Sequence, residues 1–177
     1  INYASDKGYI VITKEVSAQK RIEKETAHLA SELQNSLLLM NQPIKPLIND
    51  ILRCKAETPI SSVAKLMTKR KRKILFVNQD QHIIGVVNDS DLKKRVLAQG
   101  LNTDQPVMNI MTSPIITINK NALMYEAILL LNNNEISHLA VTNEASDIIG
   151  VIGMGSITGL QQNSVTYLIK EIEVAED

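Results

Sequence analysis

One short phrase is written twice in this chain, and the repetition restricts the available folds more than any other feature. His82-Ile83-Ile84-Gly85-Val86-Val87 returns as Asp147-Ile148-Ile149-Gly150-Val151-Ile152, so that Gly85 and Gly150 stand 65 residues apart. The match extends upstream. Ala64 falls under Ala127 at an offset of 63, and Pro46–Ile51 falls under Pro106–Met111 at an offset of 60. This drift reads as small insertions and deletions at loops and helix ends between two copies of one unit. Such a unit is longer than the roughly 20–50 residues of a solenoid repeat. The chain therefore reads as two small α/β units packed about a pseudo-twofold axis, with any ligand site in the cleft between them.

Composition narrows the class. At 177 residues the chain holds one medium domain or two small ones. Apolar residues make up 44%, but aromatics only 3% with no Trp, so the core is aliphatic. The 19 basic and 19 acidic residues cancel, which argues against broad electrostatic capture of nucleic acid or of an anionic membrane. Cys54 is the single cysteine. It offers no disulfide framework and no Cys-rich zinc site, and it points to a reducing, cytoplasmic setting. No apolar run approaches the roughly 18 residues of a membrane span, and no signal-peptide pattern opens the chain. The first residue is Ile1 rather than Met, and the sequence reads as a regulatory region cut from a longer protein.

Periodicity sets the organisation. After the polar stretch Ser5–Gly8, the run Tyr9-Ile10-Val11-Ile12 reads as a short strand. From about Ser17 to Met40, Ile22, Leu29, Leu33, Leu37 and Met40 recur at steps of 7, 4, 4 and 3. These steps predict an amphipathic helix about 35 Å long, ended by Pro43 and Pro46. It serves equally as a helix lying along the domain or as a dimer-forming helix that carries a signal. Each repeat then reads as a short strand, a helix (Ile60 to Met67; Leu123 to Leu131), two β-rich runs joined by a polar turn, and a further helix. The expected divisions are a strand and linker helix over 1–45, a first repeat over 46–102, a second over 103–162, and an exit helix over 163–177.

The informative spot is the end of the last strand in each repeat. In the first copy it reads Gly85-Val86-Val87-Asn88-Asp89-Ser90-Asp91. Glycine permits close approach of another group, and Asn88 and Asp91 flank a helix start. Their spacing of three suits an ordinary N-cap, with Asp91 well placed for the helix dipole. It suits a ligand contact as well, and spacing alone leaves both open.

The repeated unit resembles a cystathionine-β-synthase (CBS) domain, and the two copies resemble a tandem CBS pair, or Bateman module. Pro106-Val107-Met108-Asn109-Ile110-Met111-Thr112, opening the second copy, and the two Gly-hydrophobic-hydrophobic phrases carry the likeness, which covers about residues 46–162. The resemblance implies an α/β fold of two pseudo-symmetric repeats packed as a pair, behind a long N-terminal helix. It also implies a cleft that binds AMP, ADP or ATP, assembly into a homodimer, and regulation of an attached domain rather than catalysis.

In that family a Gly-h-h-Ser/Thr-x-x-Asp motif grips the ribose. The first copy keeps Gly85 and Asp91 but has Asn88 at the hydroxyl position; the second has Gly153 and Ser156 in place of the hydroxyl and the carboxylate. The resemblance therefore implies one competent site per chain, around Asp91, with no metal needed for base and sugar. By the same resemblance the purine lies between Val86 and the start of the second copy at Pro114, Ile115 and Ile116. The phosphates meet Arg72, Ser137 and His138, His138 being aligned with Lys73. The cationic run Lys69–Lys73 serves as a solvated helix end or as a phosphate rim. It has no interleaved aromatic to suggest nucleic acid. No nucleophile–base pair, P-loop, HExxH or Gly-x-Gly-x-x-Gly occurs.

The segment Leu160–Ile172 resembles the run that joins a CBS pair to a nucleotidyltransferase domain in bacterial signal-transduction proteins, some of which begin with a cyclic-nucleotide-binding domain. The expected function is regulatory adenine-nucleotide sensing for an attached effector domain. The alternative is a structural dimerisation module with a vestigial cleft.

Overall fold

The computed structural model describes the backbone of residues 5–159 and the side chains of residues 18–159. The expected exit helix at 163–177 lies outside the described residues. Two compact units divide the chain, residues 1–42 and residues 43–177.

The first unit is one helix, α1 (Ser5–Met40). It corrects the reading of Tyr9–Ile12 as a strand, because those residues continue the helix. A four-residue apolar run has no periodicity of its own, and helix propagation decides it. Gly8 sits inside at a cost of about 1 kcal/mol relative to Ala. The stripe Ile22, Leu29, Leu33 and Leu37 is largely exposed. The pairs Arg21–Glu25 at 3.8 Å and His28–Glu32 at 3.6 Å add the small support expected of exposed i,i+4 pairs.

The second unit contains the repeat. Its first sheet is β1 (Arg53–Lys55), β2 (Ile74–Gln79) and β3 (His82–Asn88), with α2 (Ile60–Arg70) between β1 and β2. β1 runs parallel to β2, and β2 antiparallel to β3. A single helical turn α3 (Asp89–Asp91) and a π-helical stretch (Leu92–Leu97) follow. The second sheet repeats the plan with β4 (Thr117–Asn119), α4 (Met124–Asn133), β5 (His138–Thr142) and β6 (Ile148–Gly153), then a helical turn at 154–159. Even irregularities repeat. Lys71 and Glu135 each follow their helix with φ of 52°, and a bulge lies at Val77/Asn78 and at Val141/Thr142.

Alternation along the strands explains how the repeats join. Successive side chains of a strand point to opposite faces. Leu75 and Val77 of β2 enter one core with α2, while Ile74 and Phe76 enter another with Ala140 and Val151 of the second sheet. Leu139 and Val141 of β5 face α4. Strands buried on both faces read as continuous apolar runs, as the sequence does at 74–77.

The ladders fix the internal alignment more tightly than sequence identity does. Phe76 pairs with Arg53 and Val86, and Ala140 with Thr117 and Val151. The offset is therefore 64 through β1 and β2 and 65 from β3 onward. Buried Val63, not half-buried Ala64, stands where Ala127 stands. Ile44 N–H donates to Ala122 O and Val107 N–H to Thr58 O, so the entry segments match at 63 rather than 60.

Those entry segments also cross between the repeats. Ile44 packs in the core of the second sheet, and Val107 and Ile110 pack in that of the first. Each copy is completed by the residues that lead into the other. Asn49 and Val151 exchange N–H···O bonds at 2.9 Å in both directions, and Thr112 and Val86 do so at 2.8 and 3.1 Å. Gly85 and Gly150 make this possible. A Cβ at 85 would stand 2.5 Å from Met111 Sδ and 3.1 Å from Thr112 O. One at 150 would collide with Ile48 Cγ2 and stand 3.1 Å from Asn49 O. The close approach expected at these glycines is the backbone of the other repeat's entry segment.

Candidate functional site

The exchange of entry segments brings the ends of β3 and β6 to a common cleft of about 1000 Å³. Every residue expected at the site from the sequence lines it: Val86, Asn88 and Asp91 from the first copy, Pro114, Ile115 and Ile116 from the entry to the second, and Arg72, Ser137 and His138. Ile115 and Ile116 precede β4 rather than lying within it. Val86 and Ile115 pack on the cluster between the sheets, which gives the cleft an aliphatic wall suited to a flat, weakly polar group.

Asp91 is the one charged side chain among the buried residues described, 7% exposed. Both of its oxygens have partners. Oδ2 accepts the Asn88 N–H at 2.9 Å, while Asn88 Oδ1 accepts the Asp91 N–H at 3.0 Å. This is a reciprocal capping box, so the mundane half of the sequence reading is present in the structure. Oδ1 accepts the Thr112 hydroxyl at 3.5 Å and stands 3.4 Å from Arg95 Nη2 as an ion pair, and Asp91, Thr112 and Arg95 all line the cleft. With its oxygen committed to the cap, Asn88 has its amide NH₂ left to offer a ligand.

Cations outnumber the carboxylates Asp50, Asp89, Asp91 and Glu135 in the lining. Lys71, Arg72, Lys73, Lys93 and Lys94 line the cleft, and none forms an ion pair within 4.0 Å among the described residues. Lys69 and Arg70 lie in the last turn of α2 and Lys71 caps it in the left-handed conformation. The run Lys69–Lys73 is thus an exposed helix end whose last three residues reach the cleft.

The second copy diverges in a physically coherent way. His138 pairs with Gly153 across β5 and β6, as Ile74 does with Asn88 in the first sheet. His138 thus corresponds to Ile74 and Ser137 to Lys73, one residue away from the expected alignment. The carbonyls of Lys73 and Ser137 confirm it by accepting the equivalent N–H groups of Asp89 and Met154. A Cβ at 153 would stand 3.1 Å from His138 Cδ2, so the imidazole occupies space that a serine there would need.

Burial pushes the His138 imidazole below its ordinary value of 6.5, Lys73 lowers it further, and Asp89 opposes both. Below pH 6.5 the unfolded chain thus takes up a proton more readily than the folded one. The neutral imidazole's contribution to stability is full above about pH 6.5 and is lost as pH falls through the folded value. His138→Gln should therefore show a flatter loss of stability than wild type between pH 7 and 5.5, measured by urea unfolding. Parallel curves would exclude this contribution.

Sequence reasoning missed Arg95 and Thr112. The i,i+4 spacing of Asp91 and Arg95 is the signal that was available for the arginine. Cys54 is half-buried, and burial raises its thiol despite a hydrogen bond from Thr58. Among the described residues no group of three or more His, Cys, Asp or Glu gathers to hold a metal, and no helix is long and apolar enough to cross a membrane.

Comparison with known proteins follows the same division of the chain. The family model described as CBS domain matches twice, at residues 43–98 and 107–162. An uncharacterized protein of Methanopyrus kandleri is 27% identical over 118 residues, covering 66% of this chain and 58% of that protein. The chain thus spans just over half the length of that relative. The crystal structure of an uncharacterized conserved protein from Pyrococcus horikoshii matches with a TM-score of 0.65 and 29% identity, over 68% of this chain and 92% of that one. A CBS domain protein from Pyrobaculum aerophilum, complexed with AMP, has the same fold at a TM-score of 0.59 and 24% identity, over 65% and 89% of the two chains.

Proposed function

This chain belongs to the CBS domain family, and we propose on that footing that it is a regulatory module whose cleft binds one adenine nucleotide per chain, AMP, ADP or ATP, at Asp91. The observation that carries the reading is the meeting, in one cleft, of a buried carboxylate oxygen with an aliphatic wall and an exposed group of unpaired cations. Ribose hydroxyls donate to Asp91 Oδ1, the base lies against Val86 and Ile115, and the phosphates face Arg72, Lys73, Ser137 and His138. Solved complexes of the family support the ligand class, one with AMP and another with 5′-methylthioadenosine and S-adenosyl-L-methionine.

Regulation requires that the nucleotide prefer one arrangement of the protein over another, since equal affinity shifts nothing. We take the regulated activity to reside in an attached effector domain, of the signal-transduction kind that the flanking sequence resembles. The largely exposed apolar stripe of α1 supports assembly as a homodimer. The rival reading, a dimerisation module with a vestigial cleft, draws on the closed capping box, which satisfies Asp91 Oδ2 with no ligand.

Calorimetry with AMP, ADP, ATP and S-adenosylmethionine, run beside light scattering, separates the two. The expected result is a dimer that takes up one nucleotide per chain without added metal. Two equivalent sites per chain contradict the asymmetry, no binding leaves only the dimerisation module, and a monomer excludes the assembly.

A further inference from the structure

We infer that Arg95 clamps the segment leading into the second repeat (residues 110–112) onto the first repeat and is, through that clamp, the positioning residue for Asp91; the second half of this inference rests on the nucleotide reading above. Arg95 stands four residues after Asp91, in the π-helical stretch, a rare conformation often found beside functional sites. Its guanidinium engages four acceptors at once. Nη1 donates to the carbonyls of Ile110 at 2.6 Å and Met111 at 2.8 Å. Nη2 donates to Thr112 Oγ1 at 3.0 Å and stands 3.4 Å from Asp91 Oδ1. The Thr112 hydroxyl closes the ring by donating to the same Asp91 oxygen at 3.5 Å.

The two carbonyls have no backbone donor among the described residues, so Arg95 supplies theirs. A buried carbonyl without a partner is costly, and the shortest contacts of Arg95 are the ones it makes here. The chemistry selects arginine. A rigid fork of five donors reaches side-by-side carbonyls and a carboxylate together, whereas a lysine presents one point charge.

The consequence for the cleft follows from Asp91. Oδ2 accepts the Asn88 N–H while Arg95 and Thr112 stand at Oδ1, so these groups together fix the plane of the carboxylate that a ligand hydroxyl would meet, with lone pairs still open on it. Pro114 and Ile115 continue the same segment two and three residues after Thr112. Arg95 therefore fixes the aim of Oδ1 and also its distance from the wall expected to hold the base. The second copy has Leu160 at the offset of 65, a residue unable to make these bonds.

The test uses the full chain and four variants: Arg95→Lys, Arg95→Gln, Asp91→Asn, and the double variant Arg95→Gln/Asp91→Asn. Without ligand, amide exchange at Thr112 and Val86 should quicken at least about tenfold in Arg95→Gln, a local opening made easier. Arg95→Lys should not restore it, and the equivalent pair Asn49 and Val151 should stay as in wild type. If Arg95→Gln quickens exchange everywhere, Arg95→Lys, which keeps the charge, carries the comparison. Wild-type exchange at Thr112 in the variants overturns the clamp, ligand or no ligand.

With ATP, Arg95→Gln should weaken binding about tenfold, and the double variant should bind within about twofold of Asp91→Asn alone, as expected of two groups acting as one unit. Losses that multiply overturn the positioning role. A wild type that binds no adenine nucleotide, with the exchange difference intact, overturns the nucleotide reading and leaves the clamp standing.

Discussion

Asp91→Ala should weaken nucleotide binding by about tenfold to a hundredfold and also lower stability by about 0.5–2 kcal/mol, the range of a lost helix cap. The two losses have separate causes. Stability falls because the Asn88 N–H loses its acceptor in the capping box. Affinity falls because ribose hydroxyls lose a charged acceptor, where each bond contributes roughly 1.5–3 kcal/mol before water replaces part of it. Ser156→Ala, at the equivalent place in the second copy, removes no carboxylate and should change affinity less than about twofold, below 0.5 kcal/mol. Calorimetry on both variants, at a temperature where both are folded, reads the difference. Unchanged affinity in Asp91→Ala, beside the stability loss, would reduce this residue to a cap.

Gly150→Val should destabilise the fold markedly although it lies outside the cleft. The added Cβ meets Ile48 Cγ2, a branched side chain, and the backbone oxygen of Asn49 at 3.1 Å. Neither yields without disturbing the Asn49–Val151 bonds that hold the entry segment to β6. Overpacking of this kind costs about 1–3 kcal/mol, which for a chain of this length lowers the melting temperature by roughly 2–12 °C. Gly155→Ala is the control, since nothing stands within 4 Å of its Cβ and it lies in the helical turn at 154–159. That change should leave stability unaltered or raise it by up to about 1 kcal/mol. Similar melting temperatures for the two variants would show that exchange of entry segments contributes little.

Much of the fold was legible because its signals are local. The doubled phrase around Gly85 and Gly150 is β3 and β6, and the apolar run at 74–77 is β2 buried on both faces. Less legible was everything set by tertiary contact. Ladder register places Val63, not Ala64, opposite Ala127, and Ile74, not Lys73, opposite His138, because a one-residue difference between copies is invisible to residue identity. Ile44 was assigned to the linker and Val107 to the second copy, yet Ile44 packs in the core of the second sheet and Val107 in that of the first. Hydrophobicity marks them as buried without saying where.

The cleft followed the same division. Asp91 and Asn88 were found through a motif, and the wall at Pro114–Ile116 through the interleaving that the family implies. Arg95 escaped because its main partners are backbone carbonyls 15 and 16 residues away, and a carbonyl leaves no mark in a sequence. The strand expected at Tyr9–Ile12 failed for the opposite reason. Its local signal was real but short, and the helix around it prevailed.

The most direct test is an ATP titration of isotopically labelled protein, followed by amide shifts residue by residue. Saturable shifts are expected at Asn88–Asp91, at Thr112–Ile116 and at Ser137 and His138, with the equivalent positions Gly153–Ser156 and Asn49–Leu52 changing little. Shifts of equal size in both sets would contradict the one-sided site, and none in either would remove the nucleotide from the account.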